Sequence, residues 1–264
     1  MSDFSFIKVD IENQTAIITM NRPDVFNAMN KAMKKEIIKA IKTANSNDQV
    51  RSIILTGEGK AFSSGQDLND RTVNADEGPV DLGKTLETEW NPLINALCQS
   101  EKIVIAAING VCAGAGLSVA MACDLKIAAE GIRFISGFSS IGLTLDAGMD
   151  HVFVRRLGYT KALEFALFSK PMMSNEMLEA GLLNQICKLE ELKERAKEMS
   201  AKINALAPLS VKIIKKNMRF AQDHSLEEVI TRETASQRFL GNTKDYQEGV
   251  AAFLGKRKPE FKGE

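Results

Sequence analysis

Two short apolar runs constrain this chain most: Ser52–Gly57 and Ile103–Ile108. Neither alternates apolar with polar, so each reads as a strand covered on both faces, the habit of parallel sheets in α/β proteins. A parallel neighbour needs a crossover of about a dozen residues, usually a helix. A helix is legible ahead of the first run: Asn30 is a plausible N-cap, and Met33, Ile37, Ile38 and Ile41 form an apolar stripe. Earlier still, Phe6–Ile11 and Thr15–Met20 alternate across Glu12-Asn13-Gln14, a hairpin pattern. Residues 58–82 form a loop region with Gly59, Gly65 and Gly78. A helical stretch over Glu87–Leu97 follows, with Pro92 near its start or at a kink. Leu117–Ala122 reads as a small-residue helix and Asp124–Ala128 as another strand. After Asp146 the pattern is helical: Met149–Leu157, Lys161–Phe168, Ser174–Glu179, Glu190–Leu206, Pro208–Gln222, Leu226–Phe239 and Lys244–Leu254. The expectation is an α/β core followed by a helical C-terminal region, without internal repeats of 20–50 residues.

Composition removes several classes. Lys plus Arg and Asp plus Glu both total 34, so net charge is zero and nothing favours nucleic acid or an anionic membrane. The one basic cluster is terminal: Lys256, Arg257, Lys258 and Lys262. Cys98, Cys112, Cys123 and Cys187 form no C-x-x-C pair, and His151 and His224 lie far from them in sequence. No metal site is expected, and buried reduced thiols suit a cytoplasmic protein. The N-terminus lacks a basic segment with an apolar run, so no signal peptide is expected. The apolar stretch Ile103–Ala129 is broken by glycines and Asp124, and reads as core.

Each buried strand runs into a glycine turn: Ala61-Phe-Ser-Ser-Gly65-Gln66-Asp67-Leu68 after the first, and Asn109-Gly110-Val-Cys-Ala113-Gly114-Ala115-Gly116 after the second. Glycine lets backbone approach a ligand closely, and a helix starting there aims free N–H groups outward with its positive dipole end behind them. Two such turns can grip one carbonyl oxygen as charge develops on it. Each turn alone is more often only tight packing between strand and helix. Dinucleotide binding fails on spacing, because the third glycine position after Gly116 is Val119.

In order and spacing, these segments resemble the crotonase (enoyl-CoA hydratase/isomerase) superfamily. The residues that carry the resemblance are Met20-Asn21-Arg22-Pro23, Asn27-Ala28-Met29, both glycine turns, Cys123-Asp124 and Gly249–Phe253, so it covers nearly the whole chain. It implies a core of repeated ββα units over residues 1–200. A helical region over 201–264 would serve trimerisation and closure of the active site, and the assembly would be a homotrimer or dimer of trimers. It implies an acyl-CoA thioester as substrate, with coenzyme A arriving as part of it and no separate cofactor. The oxyanion donors would be the N–H groups of Gln66 and Ala115. Coenzyme A would lie against Arg22, Asn27, Ala28 and Ser64, and a C-terminal lysine, Lys256 or Lys262, from the same or a neighbouring subunit would meet a phosphate. For both lysines a solvated tail is the competing reading.

Hydratases of the superfamily use two glutamates, one to orient water and one to supply a proton. The corresponding positions here are Ser118 and Phe138, which implies that hydration is absent. Asp146 stands where single-base isomerases hold their acid. Apolar neighbours Phe138, Leu143 and Leu145 would desolvate it and strengthen it as a base. Asp146 equally suits capping the helix that follows, and the two roles are compatible. The stretches Gly65–Arg71, Gly78-Pro79, Asp81–Gly83, Asn91–Leu93, Leu143–Asp146 and Asp245–Gly249 resemble the branch that rearranges an aryl-epoxide CoA ester in phenylacetate degradation. That branch also shifts enoyl double bonds, the chemistry of fatty acid metabolism. It carries Gly-Thr where this chain has Met149-Asp150, so the acyl pocket, expected around Phe138, Leu143, Met149 and Asp150, would differ. The alternatives are a hydratase-like lyase, an aryl-CoA dehalogenase, and a non-catalytic acyl-CoA- or RNA-binding relative. Dehalogenases enlist a His before the second glycine turn, and the chain has no His before His151.

Overall fold

A computed structural model describes residues 4–71 and 81–264. Gly78 and Pro79 lie outside the described residues. Strands β1 (Ile7–Glu12) and β2 (Thr15–Met20) form the expected hairpin. Its turn places Asn13 (φ 48°) and Gln14 (φ 65°) in the left-handed region, the twist-matched geometry for a two-residue loop. Helix α1 (Lys31–Ser46) begins at Asn30, whose side chain accepts the Met33 N–H. It crosses to β3 (Ser52–Gly57), parallel to β2.

The next segments repeat one plan: a strand of a large sheet, a short strand of a second sheet, then helix. β3 is followed by β4 (Ala61–Ser63), then α2 (Leu82–Thr85), a π-helical turn (Leu86–Trp90) and α3 (Asn91–Gln99). Pro92 sits in the first turn of α3, where its missing N–H costs nothing. Then come β5 (Ile103–Ile108), β6 (Val111–Ala113) and α4 (Ala115–Ala122). β7 (Leu125–Ala129) and β8 (Arg133–Ile135) lead to α5 (Met149–Leu157) and α6 (Tyr159–Phe168). β9 (Met172–Met173), α7 (Ser174–Glu179) and β10 (Gln185–Cys187) complete the sheets. The large sheet has the order β1-β2-β3-β5-β7-β10 and the small one β4-β6-β8-β9. Helices α8 (Leu192–Asn204), α9 (Pro208–Phe220), α10 (Leu226–Leu240) and α11 (Lys244–Leu254) follow.

The large sheet is covered on both faces, as its unbroken apolar strands require. Ile18, Ile53, Leu55 and Val104 join the main core with α1, α3 and α4. Their chain neighbours Ile17, Ile54 and Ile105 face the other way and pack under Leu192 and Ala196 of α8. Strands β4, β6, β8, β9 and β10 have only two or three residues each. Alternation has no length to show over so few residues, so none was legible in the sequence.

Candidate active site

Both glycine turns lie just past the C-terminal ends of adjacent parallel strands, β3 and β5. Three close approaches bring them together. Gly65 has φ 99°, and a Cβ there would sit 3.0 Å from the Ala113 carbonyl and 3.1 Å from the Ala115 nitrogen. A Cβ on Gly116 would meet the Ser63 carbonyl at 2.6 Å. Glycine at both positions is what allows the two backbones this close approach.

On the first turn, the Met29 N–H donates to the Gly65 carbonyl (2.7 Å) and the Asp67 N–H to the Met29 carbonyl (3.1 Å). This parallel bridge uses the residues flanking Gln66 and leaves the Gln66 N–H directed away from it. On the second, Gly114 (φ 51°) is the N-cap of α4, and its carbonyl accepts from Leu117 and Ser118. Ala115 opens the helix, so its N–H has no intrahelical acceptor. Among the described residues, no hydrogen bond from the N–H of Gln66 or of Ala115 is seen. The α4 dipole adds positive potential behind Ala115. Every residue of α4 is buried, so that potential is weakly screened.

Asp146 is half-buried in the loop between β8 and α5. The Ser118 hydroxyl donates to its carbonyl at 3.3 Å, which pins the loop to α4 one turn beyond Ala115. Ala147 (φ 52°) and Gly148 (φ 82°) then swing the chain into α5. Gly148 is the N-cap of that helix, with no side-chain capping bond. The capping role weighed for Asp146 is therefore corrected: its backbone carbonyl accepts the Met149 N–H, and its carboxyl does not cap α5.

Asp67 is the other acid beside the turns. It accepts from Arg22 (2.8 Å) and from the Asn69 N–H (3.0 Å). Burial pushes its carboxyl up, but the Arg22 and Asn69 hydrogen bonds outweigh that and hold it below the usual range. It is a weak base by construction and stabilises its turn.

Several expected ligand contacts are taken up inside the protein. One Arg22 nitrogen, Nη1, bonds both the Ala28 carbonyl (2.6 Å) and Asp67, and the guanidinium lies over the Phe6 ring. Asn27 is fully buried; its amide donates to the Glu58 and Ala61 carbonyls, and its Oδ1 accepts the Arg22 N–H. These two side chains make hydrogen bonds that build the wall. Ala28 is buried too, whereas Ser64 is exposed. Within its own subunit, Lys262 lies toward the end of β3 opposite the glycine turn. The adjoining Phe261 carbonyl is held by Arg51, which precedes β3, while the glycine turn follows it. A six-residue strand, roughly 20 Å, separates them. Lys256 is exposed at the end of α11.

A cavity of about 710 Å³ runs between α4, α5 and α9, with Ser118, Met121, Met149 and Val152 in its wall. Of the expected pocket residues only Met149 lines it. Phe138 is packed in the main core, Leu143 is half-buried against it, and Asp150 is exposed on the first turn of α5. Among the described residues no cluster of His, Cys, Asp and Glu could hold a metal ion. No helix among them is long and apolar enough to cross a membrane.

Comparison with known proteins decides the family. The model of the enoyl-CoA hydratase/isomerase family matches residues 10–264. The chain belongs to the enoyl-CoA hydratase/isomerase family. Its similarity to the 1,2-epoxyphenylacetyl-CoA isomerase of Escherichia coli K12 is 34% identity, covering 98% of each chain. A probable enoyl-CoA hydratase of Rhodobacter capsulatus is 35% identical over 97% of this chain and 98% of its own. Among solved structures, an enoyl-CoA hydratase subunit of Geobacillus kaustophilus superposes with a TM-score of 0.92 at 31% identity, covering both chains entirely. The ββα repeats and helical C-terminal region are thus those of the crotonase fold.

One part of the site escaped sequence reasoning: Lys34, Glu89 and Trp90, gathered around the Gln66 side chain. A signal existed. Lys34, Ile37, Ile38 and Ile41 fall at i, i+3, i+4 and i+7, so a lysine occupies the first place of the apolar stripe.

Proposed function

We propose that this chain is an acyl-CoA isomerase. Asp146 removes a proton from the carbon next to the thioester carbonyl, and the N–H groups of Gln66 and Ala115 carry the resulting enolate oxygen. The same carboxyl returns the proton two carbons along, so a 3-enoyl ester becomes its conjugated 2-enoyl isomer. The observation that carries this reading is the Ser118–Asp146 contact, which ties the acid's loop to the helix that bears the Ala115 N–H. One carboxyl suffices for a proton shift, whereas hydration needs a second group, and Ser118 and Phe138 offer none. Asp67 is held ionised by Arg22 and is a poor substitute.

The likeness to the epoxyphenylacetyl-CoA isomerase supports a ring-epoxide ester as a further substrate of the same enolate chemistry. Met218, Phe253 and Leu254 are 65%, 83% and 75% exposed on α9 and α11. Apolar side chains so exposed support a trimeric or hexameric assembly in which a neighbour covers them and lends Lys256 or Lys262 to the coenzyme. Four free cysteines support a cytoplasmic location.

The test is α-proton exchange. Wild-type protein in D2O, given 3-enoyl-, 2-enoyl- and aryl-acetyl-CoA esters, should wash deuterium into the position next to the thioester, read by mass spectrometry. Asp146→Asn should abolish exchange while leaving the thioester's Kd within about threefold. Unchanged exchange in that variant removes Asp146 from the mechanism. Ordinary hydratase turnover, about 1–10³ per second, overturns the isomerase reading.

A further inference from the structure

Isomerisation as proposed uses only the backbone N–H of Gln66, yet its side chain is held at three points. Oε1 accepts from Lys34 Nζ at 2.9 Å and from Trp90 Nε1 at 3.0 Å, and Nε2 donates to the Asp67 carbonyl at 2.9 Å. Lys34 is fully buried on α1. Its ammonium lies 2.6 Å from Glu89 Oε2 and 4.5 Å from the centre of the Trp90 ring. Glu89 and Trp90 both belong to the π-helical turn, Leu86–Trp90. The wider turn brings these consecutive residues onto the same lysine, and π-turns recur at functional sites.

Burying an ammonium is costly, and an apolar side chain of similar size often serves stability as well or better. Stability alone therefore does not account for Lys34. Orientation does. Gln66 sits in a single isolated β-bridge between Gly65 on one side and Asp67 on the other, and a hydrogen-bond donor tuned to a developing oxyanion works only if it stays aimed. We infer that Lys34, seated by Glu89 and Trp90, is a positioning residue that holds the Gln66 N–H toward the thioester oxygen. The catalytic consequence rests on the enolate reading above; the network does not.

Trp90 is the chain's only tryptophan, so the network carries its own optical reporter. The experiment compares wild type, K34M, Q66L, the double variant and E89Q, by Trp90 emission and by α-proton exchange of a 3-enoyl-CoA. Emission should shift in both K34M and Q66L, since each removes a group in contact with Trp90. The exchange kcat should fall on the order of tenfold in K34M, part of the 10²–10³ loss seen when an oxyanion donor is removed, with KM within about twofold. The double variant should be no slower than the slower single, because Lys34 acts through Gln66. E89Q preserves shape, should lose less in the same direction, and carries the test if K34M does not fold. A wild-type kcat in folded K34M, or losses that multiply in the double variant, would overturn the positioning role. An unshifted emission in both single variants overturns the network itself. A wild type that exchanges no α-proton, with both emission shifts present, sinks the enolate reading and supports the network.

Discussion

Asp124 lends itself to a worked test of how the helical region is held to the core. Its Oδ2 accepts from Lys215 Nζ (2.6 Å) and from the Val104 N–H (2.9 Å), and its Oδ1 from Arg219 Nη2 (2.9 Å). Lys215 and Arg219 lie on α9, so this carboxylate, at the entry to β7, clamps α9 onto the sheet. Lys215 is 6% exposed. Asp124→Asn keeps the shape and leaves a buried ammonium facing a neutral amide. Breaking a buried pair costs about 3–5 kcal/mol. Lys215 keeps the carbonyls of Lys102 (3.1 Å) and Leu97 (3.4 Å) as acceptors, which argues for the lower end. At about 2–4 °C per kcal/mol for a chain of this size, Tm should fall by roughly 6–12 °C.

The pH dependence gives the stricter check. Burial lowers the Lys215 pKa in the fold below its unfolded value of 10.5, and Asp124 pulls it partly back. Between the folded and unfolded pKa the unfolded chain binds the extra proton, so stability rises with pH across the window just under 10.5. Without the Asp124 charge the folded pKa drops further and the window opens at lower pH. The deficit of D124N should therefore narrow between pH 7 and pH 10 in urea melts. The pair D124N/K215M should recover part of the deficit, since the buried ammonium is gone and Arg219 keeps the Ala122 carbonyl (3.2 Å) as an acceptor. A deficit that stays flat with pH, or a double variant as unstable as D124N, refutes the reasoning.

Two substitutions probe the site loops. Gly65→Ala places a methyl 3.0 Å from the Ala113 carbonyl and 3.1 Å from the Ala115 nitrogen at φ 99°; exchange kcat should drop on the order of 10²–10³-fold, and retention of wild-type turnover would contradict the two-turn geometry. Ala147→Gly relieves a left-handed alanine, worth about 1–2 kcal/mol, against about 0.5–1 kcal/mol of added unfolded-chain entropy; Tm should rise by about 1–3 °C, and a fall would show that Ala147 is not strained.

What was legible in the sequence follows from how far each signal reaches along the chain. Helices α1, α5, α7 and α11 and strands β1 to β3 were readable because period and caps are local: Asn30 accepts from Met33, only three residues away. The family was readable because the glycine turns demand close backbone approach, which few residues besides glycine permit. Asp146 stood out as the acid between apolar neighbours, but its sequence left cap and base equally open. The fold removed the cap reading, by starting α5 at Gly148 and fastening the Asp146 carbonyl to Ser118, 28 residues earlier.

The ligand-facing set shows the same boundary from the other side. Arg22 and Asn27 have side chains fit to bind an anion or a carbonyl, and nothing local reveals that Asp67, Glu58 and Ala61 claim them first. Lys34 is assigned a place only by the fold, which brings Glu89 and Gln66, 55 and 32 residues further along, against it. Residue types and their spacing thus determined the longer strands, the helices and the two glycine turns. Which polar groups face a substrate and which are consumed in holding the wall was decided by tertiary structure, because a hydrogen bond is made by whichever partners packing brings within 3 Å.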